Sequence, residues 1–271
     1  MVNFADLTIT SLETITAFEP NTGNYLFTLD ELQNATIAQT QDKQDITGKQ
    51  GRKLNSLKRN KAVTISGNNG LVSGGLLELQ TGGKFETKDT EVLWTDYVVV
   101  NSNEATLSYK AAGTAGAEID AVYVKNANGT LGATFTQDTT AGEGKFTYTA
   151  ASKKLTFASG AIADGTEIVV YYKRKINASV LDNMSDTYSC KAVLYVDAMA
   201  EDKCLNIHRV QFYFPAADFN GEFSIEFGDN QTVHAFEAEA LSGAGCGLHG
   251  ASGMLWTYTV FGEDAEDVSG D

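Results

Sequence analysis

Residues 189–241 read SCKAVLYVDAMAEDKCLNIHRVQFYFPAADFNGEFSIEFGDNQTVHAFEAEAL. Residues 192–198, 210–214, 222–227 and 231–240 within this stretch alternate apolar and polar side chains with a period of two. They are rich in Val, Ala, Tyr and Phe, and Gly, Asn or Asp bounds them. Period two places every second side chain on the same face, which is the signature of half-buried strands. His234 shares a face with Phe236 and Ala238, so it reads as a hydrogen-bonded core or interface histidine. Asn220-Gly221 stands just before Phe223, Ile225 and Phe227 and predicts a hairpin there.

The same period recurs outward from this stretch, at residues 7–15, 61–66, 119–124, 145–150, 154–157, 167–172 and 255–261. The sequence KFTYTAASKKLTF (residues 145–157) predicts a hairpin, with Phe146 and Tyr148 answered by Leu155 and Phe157 across a short polar link. Helix signals are few. Residues 30–38 form one candidate. Residues 71–80, with Leu71, Leu76, Leu77 and Leu79, form another, weakened by Gly74-Gly75 and stopped by Gly82-Gly83. The expected fold class is mainly β, a β-sandwich or barrel with one or two short helices.

Composition divides the chain into three. Residues 95–176 form a Thr/Ala/Gly-rich block of short strands, enough for an inserted immunoglobulin-like β-sandwich of its own. Residues 1–94 and 177–271 would then make one discontinuous domain. Trp94 and Trp256 are expected to pack in the core or at a domain junction.

Charge is polarised along the 271 residues, whose formal net charge is −15. Residues 40–61 hold Lys43, Lys49, Arg52, Lys53, Lys58, Arg59 and Lys61 against only Asp42 and Asp45. From residue 197 to 271 two bases face fourteen acids, a net of −12. A cationic loop and an anionic surface on one chain suit head-to-tail association of identical copies. So acidic a chain does not bind duplex DNA by neutralising phosphates. The basic segment also lacks the interleaved aromatics of a single-strand binder.

No apolar run approaches the length of a membrane helix, and MVNFADLTIT has neither the basic start nor the apolar core of a secretion signal. Three cysteines are too few for a secreted disulfide framework, which predicts synthesis in a reducing cytoplasm. Catalytic motifs are missing: no Walker A loop, no G-x-S-x-G elbow, no H-E-x-x-H and no dinucleotide fingerprint in a strand-to-helix setting. The chain therefore reads as a non-enzyme that needs no cofactor. The one metal-like set is Cys204 with His208 and Cys246 with His249, chemically suited to Zn²⁺ but loosely spaced. A buried cysteine acting as a small apolar group is the commoner use of such residues.

Two long stretches carry a family resemblance. TLDELQNATIAQTQDKQDITGKQGRKLNSLKRNKAVTISGNNGLVSGGLLELQTG (residues 28–82) resembles the N-terminal half of the major tail tube proteins of tailed bacteriophages, and residues 189–241 resemble their C-terminal half. The resemblance is one of overall pattern and leaves out the middle block. It implies a virion protein of the tail, assembled in the host cytoplasm, with itself as main partner. Rings, typically hexameric, would stack into a hollow tube that conducts genomic DNA without binding it specifically. Tape-measure, terminator and baseplate components would be further partners, and no membrane is involved. A long loop would reach the neighbouring ring. Residues 40–61 are the match to that loop, which makes Lys49, Arg52, Lys53, Lys58 and Arg59 the expected inter-ring contacts. The alternative is a non-enzymatic β-sandwich adhesin or glycan-binding module.

Overall fold

The computed structural model describes residues 6–226, 233–242 and 253–261. These residues are mainly β, with one short α-helix among them. In chain order the first strands are β1 (Leu7–Phe18), β2 (Tyr25–Leu29), β3 (Leu32–Thr47) and β4 (Lys53–Asn69), followed by the helix α1 (Gly74–Thr81). The middle strands are β5 (Phe85–Val99), β6 (Glu104–Thr106), β7 (Ile119–Lys125), β8 (Leu131–Gln137), β9 (Lys145–Thr149), β10 (Lys154–Phe157) and β11 (Glu167–Leu181). The last are β12 (Lys191–Asp202), β13 (Ile207–Phe219), β14 (Ile225–Glu226), β15 (Val233–Ala240) and β16 (Thr257–Val260). They fall into two compact units, Met1–Phe85 with Leu181–Asp271, and Glu86–Val180.

The first unit is a curled sheet in the order β2-β1-β12-β13-β15-β4-β3, with β14 on β15 and β16 on β13. Ile15, Ala17, Leu194, Val196, Phe214, Ile65 and Phe236 form its concave, buried side, and Leu76 and Leu79 of α1 close one end of that side. Each of these side chains larger than alanine, taken from water, stabilises the fold by about 1.5–3 kcal/mol before chain entropy is counted. Toward the other end the concave side opens as an apolar cavity of about 440 Å³ between Ile9 and Leu12 of β1 and Ile37 of β3. Pro215 lies inside β13, where it has no N–H to donate. There Pro215 and Ala216 face the single residue Val193, a bulge that takes the proline out of the ladder.

The helix begins at Gly74 because the Ser73 hydroxyl accepts from the Leu76 N–H. Gly75 sits in the first turn because a Cβ there would lie 2.6 Å from Phe27. Gly82 ends the helix in the left-handed region, φ +71°, where a Cβ would collide with the Tyr188 carbonyl. His234 is fully buried beside this helix. Its Nε2–H donates to Gln80 Oε1 at 2.8 Å and its Nδ1 accepts from the Ser73 N–H at 3.3 Å.

Two expectations fail here. Residues 30–38 are not helical: 32–38 belong to β3 and 30–31 link it to β2, because Ala35 and Ile37 pair with Gly67 and Ile65 and tertiary pairing overrides a weak helical pattern. Asn220-Gly221 makes no hairpin between its flanking strands. β13 pairs with β12, β15 and β16, β14 pairs with β15, and Gly221 does not have positive φ.

The second unit is a sheet in the order β5-β11-β7-β8-β9-β10-β6, closed around Val122, Phe135, Phe146, Leu155, Ile168, Val170 and Tyr172. The expected 145–157 hairpin is there, as β9 against β10. Trp94 packs on this core, and Trp256 packs on the core of the first unit. The Asp96 carboxylate holds the β5 end of the second unit. It accepts from Tyr172 Oη (2.8 Å), the Ser108 N–H (2.7 Å) and Trp94 Nε1 (3.0 Å). Burial pushes the Asp96 carboxyl up, but these donors outweigh it and hold its pKa below the ordinary value. The Tyr172 hydroxyl is pushed up, by burial first and then by Asp96.

Candidate assembly interface

Residues 40–61 are a β-ribbon rather than a loop. β3 and β4 continue past the rest of the sheet and pair with each other from Thr40↔Ala62 to Thr47↔Lys53, turning through the 3₁₀ segment Lys49–Gly51. β15 pairs with β4 only at residues 64–69, so the ribbon has no third strand among the described residues. At its base Asn60 and Lys61 face the single residue Gln41, a bulge with Asn60 at φ +51°, which twists the ribbon relative to the sheet. Each arm is about 25 Å long at the usual strand rise. An isolated two-stranded hairpin is marginal in water, and here the ribbon is anchored only through its continuity with the sheet.

The structure places the five expected contact residues along this ribbon. Lys49 lies in the tip segment and Arg52 just past it. Lys53 is engaged by Asp45 at 2.7 Å, and that bond lowers the Asp45 pKa. Arg59 stands opposite Asp42, and Lys58 directly opposite Lys43. Like charges facing each other across a ladder destabilise it. Among the described residues no acid forms an ion pair with Lys58, while Lys43 lies 3.9 Å from Asp45. Exposed Ile46 and Leu54 add apolar groups near the tip.

Opposite the concave core the same sheet shows a polar face. Cross-strand partners share a face, and the register puts Thr14, Thr16, Tyr195, Asp197, Gln211 and Tyr213 together there. Its acids are Asp197, Glu201, Asp218, Glu237 and Glu239; Lys191 and Arg209 are its bases. Arg209 reaches Asp197 at 3.3 Å, and Asp197 also accepts from Gln211 Nε2 at 2.9 Å. The face therefore stays net acidic. The two ends of the sheet path, β2 and β3, each keep an outer edge unpaired by a described strand.

Among the described residues the first unit thus shows an uncovered basic ribbon, a net-acidic sheet face and two open edges. The profile of the YomU/Tube protein family matches residues 7–247. The chain belongs to this family. None of the curated proteins compared matches it. Membership of a tube protein family implies a homo-oligomer, and the family is structural.

The metal-like residues divide. Cys246 and His249 lie outside the described residues. Cys204 is exposed in the turn between β12 and β13, and its N–H donates to Asp202 Oδ1 at 2.7 Å. His208 Nε2 donates to Asp202 Oδ2 at 3.2 Å. Among the described residues no three His, Cys, Asp or Glu side chains converge to hold a metal. Sequence reading missed the turn itself as a surface of interest. Its signal is a leucine, Leu205, between Cys204 and Asn206 in a tight polar turn with no glycine.

Proposed function

We propose that this protein is the structural subunit of a virion tail tube. Copies stand side by side with the β2 edge of one against the β3 edge of the next, and close into a ring, hexameric by resemblance. Rings stack into a hollow tube that conducts genomic DNA to the host. Family membership over residues 7–247 carries this reading. The net-acidic sheet face supports it, because a bore lined by Glu201, Asp218, Glu237 and Glu239 repels the phosphates of passing DNA. Lys49, Arg52, Lys53, Lys58 and Arg59 then act between rings, reaching acidic surface on the next ring. Ring closure also removes the exposed strand edges that invite aggregation.

The Glu86–Val180 unit is read as an immunoglobulin-like decoration carried by the tube. Exposed Leu93, Tyr97 and Val99 alternate along β5 and favour a contact role for it, including glycan contact. Glycan-array binding by the purified protein, lost when Tyr97 is replaced by Ser, tests that role.

Negative-stain electron microscopy of the purified protein tests the main reading. Hollow tubes or stacked rings are the expected result. A monodisperse monomer by sedimentation at high protein concentration overturns it.

A further inference from the structure

The turn between β12 and β13 is built around Asp202. Its carbonyl accepts from the Leu205 N–H at 3.0 Å, and its carboxylate accepts from the N–H groups of Cys204 (2.7 Å) and Asn206 (2.9 Å). The same carboxylate takes Asn206 Nδ2 at 3.0 Å and His208 Nε2 at 3.2 Å. This is a three-residue hairpin loop whose last residue takes the left-handed conformation, the position that glycine or asparagine fills at least cost. Here the residue is Leu205, at φ +64°. It is 77% exposed, and Ile207 two residues on, paired with Glu201 at the very end of the polar sheet face and so at its rim, is 72% exposed. The asparagine that would suit the position comes one residue later. An apolar side chain is thus held out into water on a strained backbone by a turn closed through the Asp202 carboxylate and carbonyl. Neither the strain nor the exposure helps the isolated subunit.

The topology says where this knob points. β3 enters the ribbon and β4 leaves it at the same end of the sheet as the β12–β13 turn, so the basic ribbon and the apolar turn project from one end. The other end carries its own exposed apolar residues: Tyr25 at the start of β2, Leu71 and Val72 after β4, and Tyr188 before β12. Two different apolar surfaces at opposite ends of one chain define a head-to-tail contact, which propagates into an open stack.

We infer that Leu205 and Ile207 are an apolar anchor that docks on the Tyr25, Leu71, Val72 and Tyr188 end of a second copy in the next ring. The inference rests on the tube reading and adds to it: the basic ribbon steers rings together, and the turn holds them. Burial of the two side chains makes a rigid, pre-organised contact that loses little freedom on docking.

The test uses Leu205→Asn, Ile207→Thr and the double variant in the full chain. Asparagine accepts the left-handed backbone, so the disassembled Leu205→Asn subunit melts at or above the wild-type temperature. Its critical concentration for stacking rises about tenfold, and that of the double variant more, each tenfold being about 1.4 kcal/mol of contact. Leu205→Gly, which also fits the backbone, behaves in the same way. A photo-reactive residue at position 205 cross-links to the 71–72 or 188 segment of another copy. If wild type stacks and the double variant stacks at the same concentration, the anchor is wrong and the tube reading stands. Cross-links from position 205 to the acidic sheet face also refute the anchor. If wild type never assembles, the tube reading fails and the anchor with it.

Discussion

Reversing Lys49, Arg52 and Lys58 to Glu separates folding from assembly. The three side chains are exposed and engage no described acid, unlike Lys53, whose partner is Asp45. Single exposed substitutions of this kind move subunit stability by about 0.5 kcal/mol or less. Lys58→Glu is a special case. It turns the Lys43–Lys58 repulsion across the ladder into an attraction, which stabilises the ribbon by about 0.2–1 kcal/mol. Assembly responds in the opposite sense. Residues 40–61 carry a net +5, and three reversals take that to −1, against a remainder of the chain that is strongly acidic. If each exposed contact between rings is worth about 0.2–1 kcal/mol, three lost attractions and three new repulsions weaken a ring contact by about 1–6 kcal/mol. That is a rise of roughly tenfold to ten-thousandfold in the critical concentration for tubes. The assay is sedimentation of tubes across a protein dilution series, with negative-stain lengths and a thermal melt of the unassembled subunit. Raising salt from about 0.05 to 0.5 M shrinks the difference between wild type and variant, because the screening length falls well below the reach of the ribbon. Tubes of wild-type length at wild-type concentration from a folded triple variant would refute the charge argument.

Three further outcomes follow from individual contacts. Tyr172→Phe removes a donor from buried Asp96 and leaves the Tyr109 N–H without its acceptor, lowering stability by about 2–4 kcal/mol in denaturant unfolding; a change under about 0.5 kcal/mol contradicts the network. Burial lowers the pKa of His234 below its ordinary value, so the unfolded chain takes up a proton near pH 6.5 before the native chain does. Stability from this group is present above that pH and falls as the pH drops below it, and a protonated Nδ1 no longer accepts from the Ser73 N–H. Urea unfolding at pH 7.5 and 5.5 should show a steeper loss in wild type than in His234→Asn, and equal slopes would count against it. Gly82→Ala meets both a positive φ and the Tyr188 carbonyl, and should lower the melting midpoint by the equivalent of about 2 kcal/mol or more; a neutral result means the helix end relaxes freely.

Much of the fold is legible in local pattern. The strands around residues 210–214 and 154–157 show because one face of each is more deeply buried than the other, which writes period two into the sequence; in 192–198 both faces are largely buried, and the period shows through Tyr195 and Asp197 among apolar neighbours. His234 shows as a buried partner for the same reason. The long β5 escaped notice because residues 86–91 are polar on both faces. β3 escaped because only Ala35 and Ile37 of its middle residues are half-buried, which leaves a helix and a strand equally plausible by pattern.

The amino-acid sequence by itself determined the strand content, the separation of a basic segment from an acidic remainder, and the lack of catalytic motifs. These depend on residue type and short-range spacing, which a linear reading sees directly. Tertiary structure alone decided that residues 40–61 form a ribbon, that five acids gather on one sheet face, and that Leu205 is held out in a left-handed turn. Each depends on which strand lies beside which and in what register, and register is set by packing between residues far apart in the chain.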